Sequence, residues 1–414
     1  MADLQPVRGT QDLLAPEQRR HRHITDTARA IAERYGYAEM ATPIFEFTEV
    51  FARPIGEATD IVQKEMYTFQ DRGGDEITLR PEYTAGLVRA IISNSLTQSL
   101  PQKIFASGPM FRYERPQKGR FRQFHQIDVE LIGVAQPQGD VEVIALGADI
   151  LAALGVLPKT VLELNTLGDA ASRQAYRAAL VEYYTKRLSE LSEESRRRLE
   201  RNPLRILDSK EREDQRVNAE APSFEDHLTP EARDFFAAVR GGLDLLGISY
   251  RLAPRLVRGL DYYSHTAFEF VTSDLGAQGT VLGGGRYDGL MGVMGGPETP
   301  GVGWAAGIER LALLIGEPPA QPRPIMLVPL GGAAEAVAQK LARELRGAGF
   351  HIDLGYSGNL RRRLSRADRI KARAAVILGE DELARSSASL RDLDSGEQIE
   401  VPLASLKERL DAFR

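Results

Sequence analysis

GPMFRYERPQKGRFRQFHQIDVELIG, residues Gly108 to Gly133, is the stretch whose reading decides the fold. An apolar run from Lys103 to Met110 leads into Phe111-Arg112-Tyr113-Glu114, and a second strand-type run spans Phe124 to Ile132. Pro116 and Gly119 mark a turn between them, so the stretch reads as a long-looped antiparallel hairpin. Five cations and one acid lie between Arg112 and Arg122. Guanidinium groups make two-pronged bonds to phosphate oxygens, so such a loop braced by strands suits a polyanion. A solvated charged hairpin fits the same composition, and charge alone does not separate the two.

Upstream, Pro16 and Glu17 fit a helix start, and Ile24, Ala28, Ile31, Ala32 and Tyr35 recur at helical spacing until Gly36. Ala41 to Phe45 reads as extended. Met66 to Phe69, a turn over Asp71 to Asp75, and Ile77 to Pro81 give a second strand-turn-strand passage, with a helix from Glu82 onward. Pro81 suits a helix N-terminus, which places Glu82 and Thr84 in the first turn, where side chains can face a site.

Downstream, residues from about 169 to 248 are charged and helical in pattern, including Glu193-Glu194-Ser195-Arg196-Arg197-Arg198, and are expected to form a mostly α-helical insertion. Exposed helices laced with ion pairs account for that composition without any partner. Strand-like sequence returns at Ala267 to Val271, at Gly279 to Leu282 and in the Gly283-Gly284-Gly285-Arg286-Tyr287 run; Gly301 to Arg310 passes into a helix ending near Ile315. Strands and helices alternate irregularly here, which predicts an α+β domain on a mostly antiparallel sheet. Four prolines between Pro318 and Pro324 make a stiff linker. Beyond it, strands at 325–330, 350–354, 374–378 and 399–401 with a helix at 333–347 predict a compact α/β domain. The expected organisation is therefore 1–317, linker 318–324, and 325–414.

At 414 residues the chain is too long for one ordinary domain. Lys and Arg number 53 against 58 acids, so any nucleic-acid affinity must come from local patches. Without cysteine there are no disulfides, thiolate ligands or thiol nucleophiles. The six histidines are scattered, and His21 and His23 stand two apart, off a common helix face, so no zinc site is expected. No signal peptide or 18-residue apolar run is visible, so a cytoplasmic protein without membrane contact is expected.

Gly301-Val302-Gly303 fails as a dinucleotide fingerprint, because the next glycine is Gly307 and Pro300 precedes the run. The chain holds no Gly-Lys-Ser/Thr and no Gly-x-Ser-x-Gly. What remains is a set of arginines in unusual contexts: Arg112 in Phe-Arg-Tyr-Glu, Arg258 in Val-Arg-Gly-Leu-Asp-Tyr-Tyr, Arg310 in Gly-Ile-Glu-Arg. Three permanent cations gathered in one cleft repel unless a polyphosphate joins them, which points to phosphoryl or nucleotidyl chemistry. Three separate structural ion pairs are the alternative.

On these residues the chain resembles class II aminoacyl-tRNA synthetases, and specifically the bacterial histidyl-tRNA synthetases, over essentially its full length. Tyr37 to Phe45 with Pro43 is similar to class motif one, the dimer-interface element; Phe111 to Phe124 to motif two; Gly301 to Leu311, with Glu309-Arg310, to motif three. The histidine-specific stretches are Thr78-Leu79-Arg80-Pro81-Glu82, Arg122-Gln123-Phe124-His125-Gln126, Leu256 to Tyr263, and Gly283 to Gly289. Tyr356-Ser357-Gly358 and Leu378 to Glu382 resemble the family's C-terminal α/β anticodon-binding domain.

The resemblance implies a histidine–tRNA ligase that is a homodimer. It would convert ATP and L-histidine to histidyl-adenylate and pyrophosphate, then move the histidyl group to the 3′ end of histidine tRNA. It implies Arg112 and Arg258 as the catalytic residues, each touching both ATP phosphate and the amino acid. Glu114, Arg120, Phe124 and Arg310 would complete the ATP site with Mg²⁺, Phe124 and Arg310 sandwiching the adenine. Glu82, Thr84 and Gln126 would hold the α-amino group, Glu130 and Tyr263 would read the imidazole, and Tyr262 and Tyr287 would line the histidine pocket. Arg115, Gln117 and Arg122 would touch the tRNA acceptor end. The sequence departs from the family at Tyr83, where glycine is common, at His265, where arginine is usual, and at Ile127-Asp128, where Leu-Gly or similar is common. A histidine-sensing regulatory subunit of ATP phosphoribosyltransferase would share the core, but usually lacks the C-terminal domain and erodes the nucleotide-binding arginines. A synthetase of different amino-acid specificity is disfavoured by Arg258 to Tyr263 together with Glu130. A pure RNA-binding module would have no use for Glu82, Gln126 and Glu130 together.

Overall fold

Alternation along the hairpin builds the largest sheet. In the computed structural model the two strands run Gln102–Phe111 and Gln123–Ile132 and pair antiparallel, Phe111 opposite Gln123 and Gln102 opposite Ile132. Successive side chains on a strand point to opposite faces. Ile127, Val129 and Leu131 therefore enter the main core, while Phe124, Gln126, Asp128 and Glu130 line a cleft on the other face. The structure describes residues 4–414 except 57, 58, 60, 208, 210, 258–261, 277 and 278, and not the side chains of 200 and 201.

Around the hairpin lies an eight-stranded sheet, in the order Ala38–Glu39, Gln102–Phe111, Gln123–Ile132, Gly301–Gly307, Thr280–Arg286, Ser264–Val271, Val161–Thr166, Tyr250–Leu252. The six central strands are antiparallel, as expected, whereas the strand at each edge pairs parallel with its neighbour. Neither short edge strand has the alternation that marks a half-buried strand, which is why sequence pattern misses them. The Ala15–Arg34 helix lays Ile24, Ala28, Ile31 and Ala32 onto the core, and Pro137–Ala153 adds Val143, Ile144 and Leu146.

The helix expected from Glu82 starts two residues later, at Thr84, and runs to Ser93. Glu82 stays outside and turns its carboxylate back to accept from the amides of Thr84 and Ala85, at 2.7 and 2.9 Å. Those amides have no partner within the helix, so Glu82 caps it. A separate three-stranded sheet, Phe45–Phe47, Glu76–Leu79 and Tyr67–Gln70, stands before this helix.

Between 169 and 248 the chain folds into helices Ala170–Thr185, Glu193–Arg201, Arg212–Asn218 and Pro230–Leu245. Tyr176, Leu180, Tyr184, Leu191 and Phe224 give this region its own apolar centre. Glu194–Arg198 and Glu182–Lys186 are exposed pairs four residues apart, screened by solvent and of little weight for stability.

The chain divides into two compact units between Pro318 and Pro319. The second carries a five-stranded sheet in the order Ile352–Leu354, Ile325–Pro329, Ala374–Leu378, Ser387–Asp392, Gln398–Pro402. Ser387–Asp392 is absent from the expected strands, although Ala388 and Leu390 alternate into the core and Ser387 and Ser389 lie on the opposite face. Their hydroxyls are satisfied by the Glu382 carbonyl and carboxylate, both at 3.2 Å. Arg323, at the end of the proline segment, is fastened to this unit by Asp394 at 2.8 Å and by the carbonyls of Lys371 and Ala372.

Candidate active site

The polar face of the hairpin forms one wall of a cleft of about 310 Å³ in the first unit. Every described residue expected to bind histidine or ATP lines it: Glu82, Thr84, Arg112, Glu114, Arg120, Phe124, Gln126, Glu130, Tyr262, Tyr263, Tyr287 and Arg310. Arg258 lies outside the described residues. The proposed tRNA residues sit elsewhere, on the hairpin tip.

At one end three guanidiniums share the cleft. Arg112 donates to the Pro81 carbonyl at 2.8 Å and lies 5.3 Å from the Phe124 ring centroid. Arg120 is paired with Glu114. Arg310 donates to the Thr280 carbonyl at 2.7 Å. Burial lowers the Arg310 pKa; Glu114 opposes this, while Arg120 and Arg112 add to it. The three cations therefore feel one another, and an anion between them is the natural complement.

At the other end the cleft is acidic, and its carboxyl groups are almost fully buried. Glu130 is 1% exposed; its Oε1 accepts from the Thr84 hydroxyl at 2.6 Å and its Oε2 from the Tyr287 hydroxyl. Burial pushes its pKa up to about 8 against the pull of those two hydrogen bonds. Burial likewise raises Glu82, and raises Asp128 well above the carboxylate range, with Glu130 and Glu82 adding to the latter. Tyr262, Tyr263 and Tyr287 form a ring cluster beside them, with centroids 4.7 to 6.5 Å apart.

The glycines that failed as a nucleotide fingerprint make room for this end. A Cβ on Gly303 would stand 1.7 Å from Glu130 Oε2, and one on Gly301 2.3 Å from the Tyr287 ring. Arg286, fully buried and ion-paired with Asp140, anchors the neighbouring strand end from which Tyr287 enters the cleft.

Sequence reasoning passed over several cleft residues, among them Asp128, Glu269, Thr280 and Glu309. Asp128 was within reach, since the two-residue period that selected Gln126 and Glu130 runs through it. Glu309 gathers residues from three elements: its carboxylate accepts from the His125 amide at 3.0 Å and meets His125 Nδ1 at 2.8 Å, and the His125 ring packs edge-on against His21, 5.4 Å away. The histidines are thus less scattered than their numbering suggests, and among the described residues these three are the group whose ligand-type atoms come within 4.8 Å of one another. Hydrogen bonding already accounts for the Glu309 carboxylate.

Of the tip residues, Arg115 and Gln117 are exposed. Arg122 stacks 3.8 Å over the Tyr113 ring and donates to the carbonyls of Glu114 and Arg8. Its amide reaches the Gly9 carbonyl at 2.7 Å, so it braces the tip against the N-terminal segment. Tyr83 points behind the cleft, its hydroxyl on the Ser107 carbonyl at 2.9 Å and its ring under Arg80 at 4.1 Å. Gly108 admits both, because a Cβ there would meet them at 2.6 and 2.8 Å. His265 packs on Phe235, with ring centroids 4.6 Å apart.

Residues 9–311 match the family model described as histidyl-tRNA synthetase, and residues 325–412 match an anticodon binding domain. The chain belongs to the histidyl-tRNA synthetase family. It is 60% identical to a protein of Rhodospirillum rubrum named histidine–tRNA ligase, over the full length of both. A histidine–tRNA ligase of Gluconacetobacter diazotrophicus is 58% identical over 97% of each chain. Among solved structures, apo histidyl-tRNA synthetase of S. aureus superposes with a TM-score of 0.84 at 35% identity, covering 98% of this chain and 99% of that one. This membership accounts for the class II sheet and for the C-terminal α/β domain. Among the described residues no helix is long and apolar enough to cross a membrane.

Proposed function

We propose that this cleft activates L-histidine with ATP and that the resulting histidyl-adenylate charges the 3′ end of histidine tRNA. The observation that carries the reading is the polarity of one cleft, cationic around Arg112, Arg120 and Arg310 and acidic around Glu82, Asp128 and Glu130. Phosphates belong at the first end and an amino acid with an ammonium and an imidazole at the second. Arg112 stands at the junction, where it can hold the α-phosphate and the amino-acid carboxylate together, which is the positioning that nucleotidyl transfer needs. Phe124 and Arg310 supply a flat apolar ring and a planar cation for the adenine. Arg258, by family resemblance, supplies the opposing charge. Glu130 and Tyr263 read the imidazole, and a buried site that hydrogen-bonds such groups rejects analogues lacking them by roughly 10⁴-fold.

The carboxylates of Glu114 and Glu269 line the cationic end. They are hard oxygen donors of the kind that holds Mg²⁺ beside a nucleotide, and Mg²⁺ would supply charge neutralisation on the phosphates. Arg115 and Gln117 would meet the tRNA acceptor end, a reading supported by their exposure at the tip. We assign the chain to the cytoplasm as a homodimer. The three-stranded sheet supports the dimer: Phe47, Ile77 and Phe69 are register partners on one face, and Phe47 and Phe69 are 60% and 48% exposed. Such a row of exposed aromatics marks an interaction surface.

Histidine-dependent exchange of labelled pyrophosphate into ATP tests the first step, and charging of histidine tRNA tests the second. Exchange that responds to another amino acid and not to histidine would overturn the reading.

A further inference from the structure

We propose that Asp128 is a direct binding residue for the substrate's α-ammonium group, sharing it with Gln126. The proposal deepens the reading of the cleft as a histidine-activating site and rests on it. Four acceptor side chains surround the acidic end, and they differ in what they already hold. Glu82 has both oxygens on helix amides, and Glu130 has both on hydroxyls. Asp128 Oδ2 and Gln126 Oε1 are buried and have no hydrogen-bond partner among the described residues. They stand two residues apart on one face of the Gln123–Ile132 strand, and both side chains line the cleft.

A buried acceptor without a donor costs free energy, and native proteins satisfy nearly all of them. Two such atoms on one wall of a binding cleft mark the place of a ligand's donors. An ammonium group has three N–H donors and a positive charge. Gln126 Oε1 and Asp128 Oδ2 would take two of the donors and the Asp128 carboxylate would balance the charge. The charged neighbours fit this. Without substrate, burial, Glu130 and Glu82 disfavour the ionised form of Asp128, and Arg80 and Arg112 favour it; an ammonium at Oδ2 adds a third cation on the favouring side, so the carboxylate forms as the substrate binds. Glu82 then acts as a positioning residue, fixing the start of the Thr84–Ser93 helix so that Thr84 reaches Glu130. A glycine in place of Asp128 would leave the ammonium to neutral acceptors and to Glu82; here the strand carries its own counter-ion.

The test compares two ligands on the full-length chain and on Asp128→Asn, which keeps the shape and removes the charge. Calorimetry gives the affinities for L-histidine and for its des-amino analogue, imidazolepropionate. In the unmodified protein, losing the amine should weaken binding by roughly 10- to 100-fold, the range for a hydrogen bond to a charged group. In Asp128→Asn that ratio should fall below about 5-fold, while the KM for ATP stays within about twofold, as expected when one end of a polar site is altered. Asp128→Ser, smaller and neutral, repeats the comparison in case the amide packs badly. Equal ratios in all three proteins would show that Asp128 does not touch the amine and would overturn the proposal. A failure of the wider reading looks different: the unmodified protein would bind neither ligand.

Discussion

The tip of the hairpin and its returning strand are neighbours in sequence with opposite fates. At the tip, from Arg115 to Lys118, the chain carries charge into solvent, with Arg115 and Gln117 exposed, while the flanking Glu114 and Arg120 turn into the cleft and Arg122 is held by a ring and by carbonyls. From Phe124 to Glu130 it carries charge into a buried cleft, where Asp128 and Glu130 are each 1% exposed. The same kinds of side chain are therefore weak and replaceable in one half and strongly perturbed in the other. Desolvation is what separates them, because a Coulomb interaction in water is several-fold weaker than in a partly buried site. Substitutions in the buried half should be costly in the adenylation step, and substitutions at the tip should show mainly when tRNA is present.

The largest effect should come from Arg112, the cation that joins the two halves. Arg112→Ala should lower the rate of histidine-dependent pyrophosphate exchange by about 10³-fold, the range for losing one positioned transition-state donor. The histidine KM should change far less than kcat. A loss confined to KM would mean that Arg112 only binds substrate, and the comparison would lose its hinge.

Next in size is Gly303→Ala. The added Cβ would overlap Glu130 Oε2 and stand 2.5 Å from the Val129 carbonyl oxygen, so Glu130 must move. We expect the histidine KM to rise by about 50-fold, since a displaced charged hydrogen-bonding group costs on the order of 2 kcal/mol. The ATP KM should hardly change. Unaltered histidine binding in a folded variant would place the imidazole elsewhere in the cleft.

Arg115→Ala at the tip should behave in the opposite way. Pyrophosphate exchange should be unchanged, and charging of histidine tRNA should fall by about 3- to 10-fold in kcat/KM, as for loss of one exposed phosphate contact, with a shallower salt dependence. A drop in exchange equal to the drop in charging would erase the division between the halves.

Much of this was legible in the residues. The hairpin, the antiparallel centre of the sheet, the helical region and the C-terminal α/β domain follow from alternation, turn residues and prolines, because these are local signals. The twelve described residues expected at the histidine and ATP sites do converge on one cleft. What stayed hidden depends on distant neighbours. Nothing local says that Glu82 caps the helix rather than joining it, that Arg122 stacks on Tyr113, or that Gly303 exists to admit Glu130. His21, His125 and Glu309 meet only through the sheet, 104 and 184 residues apart in sequence.

The smallest expected effect tests the buried half without any substrate. Glu130 is raised from 4.5 to about 8, so between those values the folded chain holds a proton that the unfolded chain has released. The unfolded state then binds fewer protons, and stability must fall as pH rises through that window, levelling off below it. Glu82 and Asp128 are shifted upward too and act in the same direction. Exposed carboxylates paired with cations, such as Asp394 with Arg323, are shifted downward and matter only at lower pH. Burial lowers the pKa of His21 and of His265, so below about pH 6.5 those two act in the opposite direction. The melting temperature of the ligand-free protein should therefore decline by a few degrees between about pH 6.5 and pH 8, and Glu130→Gln, which cannot release a proton, should decline less. Scans in matched buffers, read by near-ultraviolet circular dichroism, decide it. Parallel curves for the two proteins would mean that Glu130 ionises freely, and the contrast between an exposed tip and a buried strand would then fail at its most buried carboxylate.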